Sequence, residues 1–234
     1  MLRPSRPVAL AIFLLAAFAF EAVPRAPGTK LVAVSRADLC VTEGAVDELP
    51  GGRLSVSLPK MRAYVNQFTP PEVAVHFTYL GATGKEARLG SGELRRQFGL
   101  KLRAADACNL VYAMWRIEPD AKLVVSVKSN PGQHSSTECG NRGYRNIKPR
   151  RSTPVPVLRP GESHDLQAEM DGEEMKVFAD NRLVWAGSLG ADALSFDGPV
   201  GMRSDNARLQ LQLRAPQVPA RQGRTPGCRT GEAE

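Results

Sequence analysis

The chain has 234 residues, of which 42% are hydrophobic and 6% aromatic, with four cysteines and a formal net charge of +7. That length suits one domain with a substantial core. The basic residues are scattered and accompany no base-recognition motif, which argues against nucleic acid; the positive balance favours anionic partners such as acidic polysaccharides, cell-wall polymers or phospholipid headgroups.

The first predicted element is a leader. Arg3 and Arg6 form a short basic region, Val8 to Ala19 is an uninterrupted apolar run, and Ala17-Phe18-Ala19 offers small residues at the two positions a signal peptidase reads. The run is shorter than the ~20 residues that span a bilayer, so residues 1–19 read as a signal peptide and no stable membrane span is expected after its removal. A permanent anchor is the alternative. No cysteine ends the run, which argues against a lipoprotein. Residues 20–30, with Pro24 and Pro27, read as a linker. The protein is therefore expected to be exported, periplasmic or extracellular. An oxidising compartment lets disulfides persist, and Cys40, Cys108, Cys139 and Cys228 leave no orphan. Of three possible pairings, Cys108–Cys139 with Cys40–Cys228 is favoured, one stapling adjacent strands and their loop, the other tying the two ends of the domain. No pair has C-x-x-C spacing, so zinc is not expected.

Strands follow in order. Leu31 to Leu58 holds the first of them, and Val73, Val75, Phe77 and Tyr79 alternate in the next, before a Gly- and charge-rich loop from Gly81 to Glu93. Phe98, Leu100 and Leu102 alternate with Gln97, Lys101 and Arg103. Leu110 to Ile117 carries large side chains on both faces, Val111, Ala113, Trp115 and Ile117 on one and Leu110, Tyr112, Met114 and Arg116 on the other. After a strand at Leu123 to Lys128, the polar stretch Ser129 to Arg151 reads as a long loop, a frequent home of function. There His134, Arg142, Tyr144, Arg145, Asn146 and Lys148 cluster near the Cys108–Cys139 pair, with cations for an anionic chain and Tyr144 for stacking. Residues 215–234 read as a polar tail, ordered only if Cys228 pins it.

Between Gly161 and Leu213 the period is two throughout. Leu166, Ala168 and Met170 alternate with polar residues, Asp171-Gly172 turns, Met175, Val177 and Ala179 resume, and Asp180-Asn181 turns again before Leu183 to Trp185. Val200 to Met202, the polar turn Ser204 to Asn206, and Leu209, Leu211 and Leu213 complete an antiparallel meander. The series His164, Leu166, Glu169, Asp171, Gly172, Asp180, Asn181 and Gly198 to Asn206 resembles the C-terminal half of concanavalin A-like lectin/glucanase sandwiches. The strand pair Gln97 to Ile117 resembles an earlier part. The resemblance implies an all-β antiparallel sandwich of jelly-roll type over residues 31–214, with ligands on the concave outer face of one sheet. It transfers a fold rather than an activity. If Trp115 packs inside, Tyr112, Met114 and Arg116 occupy that face, and parity adds His76 and Thr78 from one strand and Lys101 and Arg103 from another. The alternative makes Tyr112 and Met114 satellite core beneath the long loop.

Catalytic signals are thin. Glucanases of this fold carry Glu-x-Asp-x-Glu along one strand, and Glu169-x-Asp171-x-Glu173 has the spacing, but Gly172 turns the chain and removes Glu173 from the face of Glu169. His76, His134 and His164 are isolated, so neither a metal nor a hydrolase triad is indicated, and no cofactor is expected. His164 is expected to make a structural contact at the start of its strand. The sequence reading is a secreted, non-catalytic carbohydrate-binding or surface-associated domain, with anionic polysaccharide as its preferred class. Its alternatives are a glycoside hydrolase or polysaccharide lyase on the same fold, and a structural envelope component with a filled, pocketless face.

Overall fold

The computed structural model describes residues 30–217 and Cys228; the expected leader, nearly all of the linker, and residues 218–227 and 229–234 of the tail lie outside them. The strands in chain order are β1 (Leu31–Ala33), β2 (Leu39–Glu43), β3 (Asp47–Leu49), β4 (Arg53–Val56), β5 (Lys60–Val65), β6 (Glu72–Ala82), β7 (Arg96–Leu102) and β8 (Leu110–Glu118). They continue with β9 (Lys122–Lys128), β10 (Tyr144–Asn146), β11 (Arg151–Ser152), β12 (Ser163–Asp171), β13 (Glu174–Ala179), β14 (Arg182–Ser188), β15 (Gly201–Asp205) and β16 (Ala207–Pro216). One short helix, α1 (Ser136–Cys139), interrupts the segment between β9 and β10. Among the described residues no helix is long and apolar enough to cross a membrane.

Two antiparallel sheets result. The first runs β11-β14-β13-β12-β6-β16-β4-β3, with β1 also paired to β16, and the second runs β10-β9-β8-β7-β15-β5-β2. Alternation puts one row of each strand between them: Leu54, Phe77, Leu166, Val177 and Leu211 from the first sheet meet Met61, Phe98, Leu100, Trp115 and Val125 from the second. Phe77 sits at the centre, its ring 5.1 Å from Phe98 and 5.8 Å edge-on from Trp115. His164 pairs across from Phe77, its ring 5.6 Å from Trp115, and its Nδ1 lies 2.8 Å from the Asp180 carboxylate. It thereby ties the start of β12 to the β13–β14 turn, the structural contact expected of it.

The turns follow backbone chemistry. Asp180 and Asn181 both adopt positive φ, at 49° and 62°, as a tight hairpin requires. At the neighbouring hairpin Asp171 is still paired, with Glu174, so Gly172 and Glu173 make the turn rather than Asp171 and Gly172. The expected turn at Ser204 to Asn206 shrinks to Asn206, because Ser204 and Asp205 remain paired in β15. Asn206 anchors the loop before β7, its side-chain amide donating to the Ala87 and Arg95 carbonyls and its Oδ1 accepting from the Ala87 N–H. Both favoured disulfides form, Cys40–Cys228 and Cys108–Cys139. The segment read as a long loop after β9 contains α1 and β10, which extends the second sheet at its edge.

Candidate functional site

The outer face of the second sheet is built from alternate residues of six strands. With Phe98, Leu100 and Trp115 inside, Gln97, Gly99 and Lys101 of β7, Tyr112, Met114 and Arg116 of β8, Ser126 and Lys128 of β9, Arg203 and Asp205 of β15, Arg62 and Tyr64 of β5, and Tyr144 of β10 face outward. Polar groups are buried here to an unusual degree for an outer surface. Arg62, Lys101, Lys128, Gln97 and Asp205 are all buried.

Asp205 is the hub of this network. Its Oδ1 accepts from Arg62 Nη2 at 2.6 Å, and its Oδ2 accepts from Gln97 Nε2 at 2.7 Å and Arg203 Nε at 2.9 Å. Burial alone would raise its pKa, but the Arg203 and Arg62 guanidinium groups outweigh that and hold it well below the usual carboxylate range. Arg62 spends a further N–H on the Met61 and Ser204 carbonyls. The Arg203 guanidinium then lies 5.2 Å over the Tyr112 ring and donates from Nη1 toward the Tyr144 hydroxyl at 3.4 Å.

Two tyrosines form a stacked pair, with ring centroids 6.1 Å apart and planes 22° from parallel. Tyr112 is 1% exposed and packs with Ala104, Leu110 and Met114 in a small apolar cluster, so it does not present its ring to a ligand; the satellite-core alternative describes it. Tyr144, 40% exposed, is the ring that does face outward. Lys128 Nζ stands 5.1 Å over that ring and donates to the Ala107 carbonyl at 2.8 Å. At the far end of the face Arg116 lines an open pocket of about 280 Å³ with Lys122, Asn146, Pro149, Ser152 and Trp185. Its Nε–H is buried and has no hydrogen-bond partner among the described residues. Burial lowers the Arg116 pKa, with the nearby Arg95 adding to that.

Not every expected residue gathers here. His76 and Thr78 belong to β6 in the first sheet, where they point to the opposite side of the molecule, His76 facing Asp165 at 3.1 Å. Parity placed them correctly on a strand but not on this sheet. Arg103 lies just past the end of β7 with φ at 49°, and its guanidinium is committed to the Phe196 carbonyl at 2.9 and 2.6 Å. Arg145 alternates away from Tyr144 and bridges to the exit of β14, donating to the Leu189 carbonyl and the Asp192 carboxylate, both at 2.8 Å. Arg142 folds back onto the carbonyls of Glu138 and Cys139 that end α1. His134 is exposed on the flanking loop, with Nδ1 2.8 Å from Asp106. The group that the structure assembles is thus Tyr144, Tyr112, Lys101 and Arg116 together with Arg62, Gln97, Lys128, Arg203 and Asp205, which sequence reasoning missed. Alternation at 126/128 and 203/205 is the signal that marks some of them. Glu169 and Asp171 face outward from the first sheet, far from this surface, and Glu173 accepts from the Ser188 hydroxyl at 3.2 Å.

No protein-family model and no curated protein sequence matches the chain. Solved structures do. A carbohydrate binding module, CBM66 from Bacillus subtilis, superposes with a TM-score of 0.50 at 17% identity, covering 75% of this chain and 92% of that one. The Emp46p carbohydrate recognition domain gives a TM-score of 0.47 at 12% identity, covering 78% and 90%. A structure from work on endo-acting O-glycanases of the human gut microbiota gives 0.49 at 9%, covering 82% and 97%. The fold is a concanavalin A-like lectin/glucanase sandwich. At these identities the likeness carries the fold alone.

Proposed function

We propose that the protein is an exported, non-catalytic carbohydrate-binding domain whose ligand, an anionic polysaccharide, lies on the outer face of the second sheet. The observation that carries this reading is the half-exposed Tyr144 ring, held flat by Tyr112 beneath it and flanked by Lys128 and Arg203. A flat ring suits a pyranose face, and the partly exposed Arg203 beside it suits a carboxylate or sulfate. Of the cations on this face Arg116 and Arg203 are partly exposed, while Arg62, Lys101 and Lys128 are buried and add only to its positive field, against the buried Asp205 and the partly exposed Glu43. The similarity to a carbohydrate binding module supports the same class. Two disulfides suit an oxidising compartment, which supports export.

Glycoside hydrolysis needs two carboxyl groups in set separation, one of them protonated. Asp205 is held ionised between two arginines and cannot serve as that acid. A second reading rests on the Tyr144 hydroxyl beside Arg203, since a uronate lyase pairs a tyrosine base with an arginine that neutralises the carboxylate. Unsaturated uronate products, followed by their ultraviolet absorbance, would establish it.

A glycan array of acidic and neutral polysaccharides tests the proposal. Tyr144→Ala is expected to weaken the best ligand about tenfold, the loss of roughly 1.4 kcal/mol. Binding should also fall as salt rises from about 0.05 to 0.5 M, where exposed charges are screened. Unchanged binding by Tyr144→Ala removes this face as the site, and no glycan bound by any form of the chain removes the reading itself.

A further inference from the structure

At the far end of the outer face one strand edge is left uncovered among the described residues. β10 pairs with β9 only over Ser126 to Lys128, and the Ile147 N–H adds one bond to the Val125 carbonyl at 2.9 Å. The chain then crosses to the first sheet, where the Arg150 N–H donates to the Ala186 carbonyl at 2.9 Å and Ser152 pairs with Trp185. The crossing is thus pinned at both ends. It borders the cleft of about 280 Å³ that the free edge of β9 shares with Arg116, Asn146, Pro149, Ser152 and Trp185. Small-molecule sites run from roughly 300 to 1,000 Å³, so this one has room for about one sugar unit.

Arg116 is the unmatched charge in this cleft. The charges that act on it are otherwise matched, Arg95 with Glu93, and Lys122 with Asp120 at 4.0 Å. Arg116 itself is half-buried, forms no ion pair among the described residues, and holds its Nε–H buried there without a hydrogen-bond partner. Burial, then the Arg95 charge, disfavour its ionised form by more than Glu93 and Asp120 restore. An arginine keeps its charge regardless, and a buried charge without a partner is costly. An anion brought into the cleft supplies the missing counter-charge through charge-assisted hydrogen bonds.

The cleft continues the face that carries the exposed ring. Tyr144 and Asn146 stand on the same side of β10, about 7 Å apart along the strand. Asn146 pairs with Ser126, and four residues back along β9, about 13 Å further, Lys122 stands opposite Arg116. A chain stacked on Tyr144 and lying along the strands therefore runs into the cleft. We propose that this cleft is an acid-recognition subsite, in which Arg116 pairs with the anionic substituent of one sugar unit, a carboxylate or a sulfate, and Asn146 and Ser152 bond that unit's hydroxyls. The inference rests on the reading of this face as a glycan site and assigns its selectivity. A tyrosine ring stacks on acidic and neutral sugars alike, so the preference for an acid comes from Arg116.

The test follows the Trp185 indole N–H of the isotope-labelled chain by NMR, since that ring lines the cleft. Galacturonate, a sulfated galactose and galactose itself are titrated in turn. At least one of the two acids is expected to shift the Trp185 signal and to bind at least about tenfold more tightly than galactose, the scale of a hydrogen bond to a charged group. Which acid does so separates carboxylate from sulfate. Arg116→Gln is expected to lose that advantage and Arg116→Lys, which keeps the charge, to retain part of it, with the amide spectra of both showing a folded chain. A Trp185 signal that neither acid moves overturns the proposal, and so does acid binding undiminished in Arg116→Gln. The polysaccharide bound best is then compared across variants. Acid binding in the cleft with no polysaccharide weakened by Tyr144→Ala leaves the subsite standing and removes the reading of the Tyr144 face. Polysaccharide binding that depends on Tyr144 but not on Arg116 keeps that face and removes the subsite.

Discussion

At the scale of single residues, Asp205 carries the most weight. It is a buried carboxylate whose two oxygens serve Arg62, Arg203 and Gln97, and without it the guanidinium groups of Arg62 on β5 and Arg203 on β15 lose the buried acceptor they share. Removing one partner of a buried ion pair costs about 3–5 kcal/mol, and Asp205→Asn is expected to lose that much in chemical denaturation. The pH dependence has a definite sign. The folded carboxyl is held below its ordinary value of 3.8, so its contribution is complete above that pH and drains away as pH falls below it. The Asn variant should therefore show a flatter stability curve below about pH 4 than the parent chain. An equal acid slope in both would mean that Asp205 titrates normally. Arg62 and Asp205 lie 143 residues apart, so no window of sequence contains the pair; only the strand register brings them together.

Among the elements, α1 shows how a four-residue helix is held at all. Ser135 and Glu138 form a capping box, and the Glu138 carboxylate accepts from the backbone N–H groups of Ser135 and His134 and from the Ser135 hydroxyl. Those donors hold its pKa down to about 2. The cap is present above the ordinary value of 4.5 and is lost as pH falls toward 2, so the Glu138 carboxyl signal in NMR should titrate near the lower figure. Titration near 4.5 would remove the cap. Strand alternation made much of the rest legible beforehand: it divided Trp115 from Tyr112 and placed Lys101 outward. Alternation says which residues share a face of one strand, but not which sheet the strand joins. β6 and β7 are consecutive yet lie in opposite sheets, which is why His76 and Lys101 end on opposite sides of the molecule. The end of β15 was hidden for another reason. Ser204-Asp205-Asn206 has the composition of a turn, and only the ion pairs of Asp205 explain why the ladder runs on to it.

Across the whole molecule, the first and last strands are neighbours. β1 pairs with β16, Leu31 opposite Pro216, so the chain enters and leaves the described domain at one point. The second sheet draws its strands from distant parts of the sequence, whereas β12, β13 and β14 form a continuous meander. That meander was the most readable part, because each turn there is local. The Cys40–Cys228 bridge spans 188 residues of chain. Pulled between the segment before Leu31 and the segment after Cys228, the protein should yield only Leu31 to Cys40 before tension passes through the sulfur–sulfur bond. That is about 35 Å of extension. The sandwich between the two cysteines would feel no force, and a single-molecule trace should show one short step under oxidising conditions and a far longer one after reduction. A domain built this way can be dragged along a polymer or strained at a surface while its face stays undistorted.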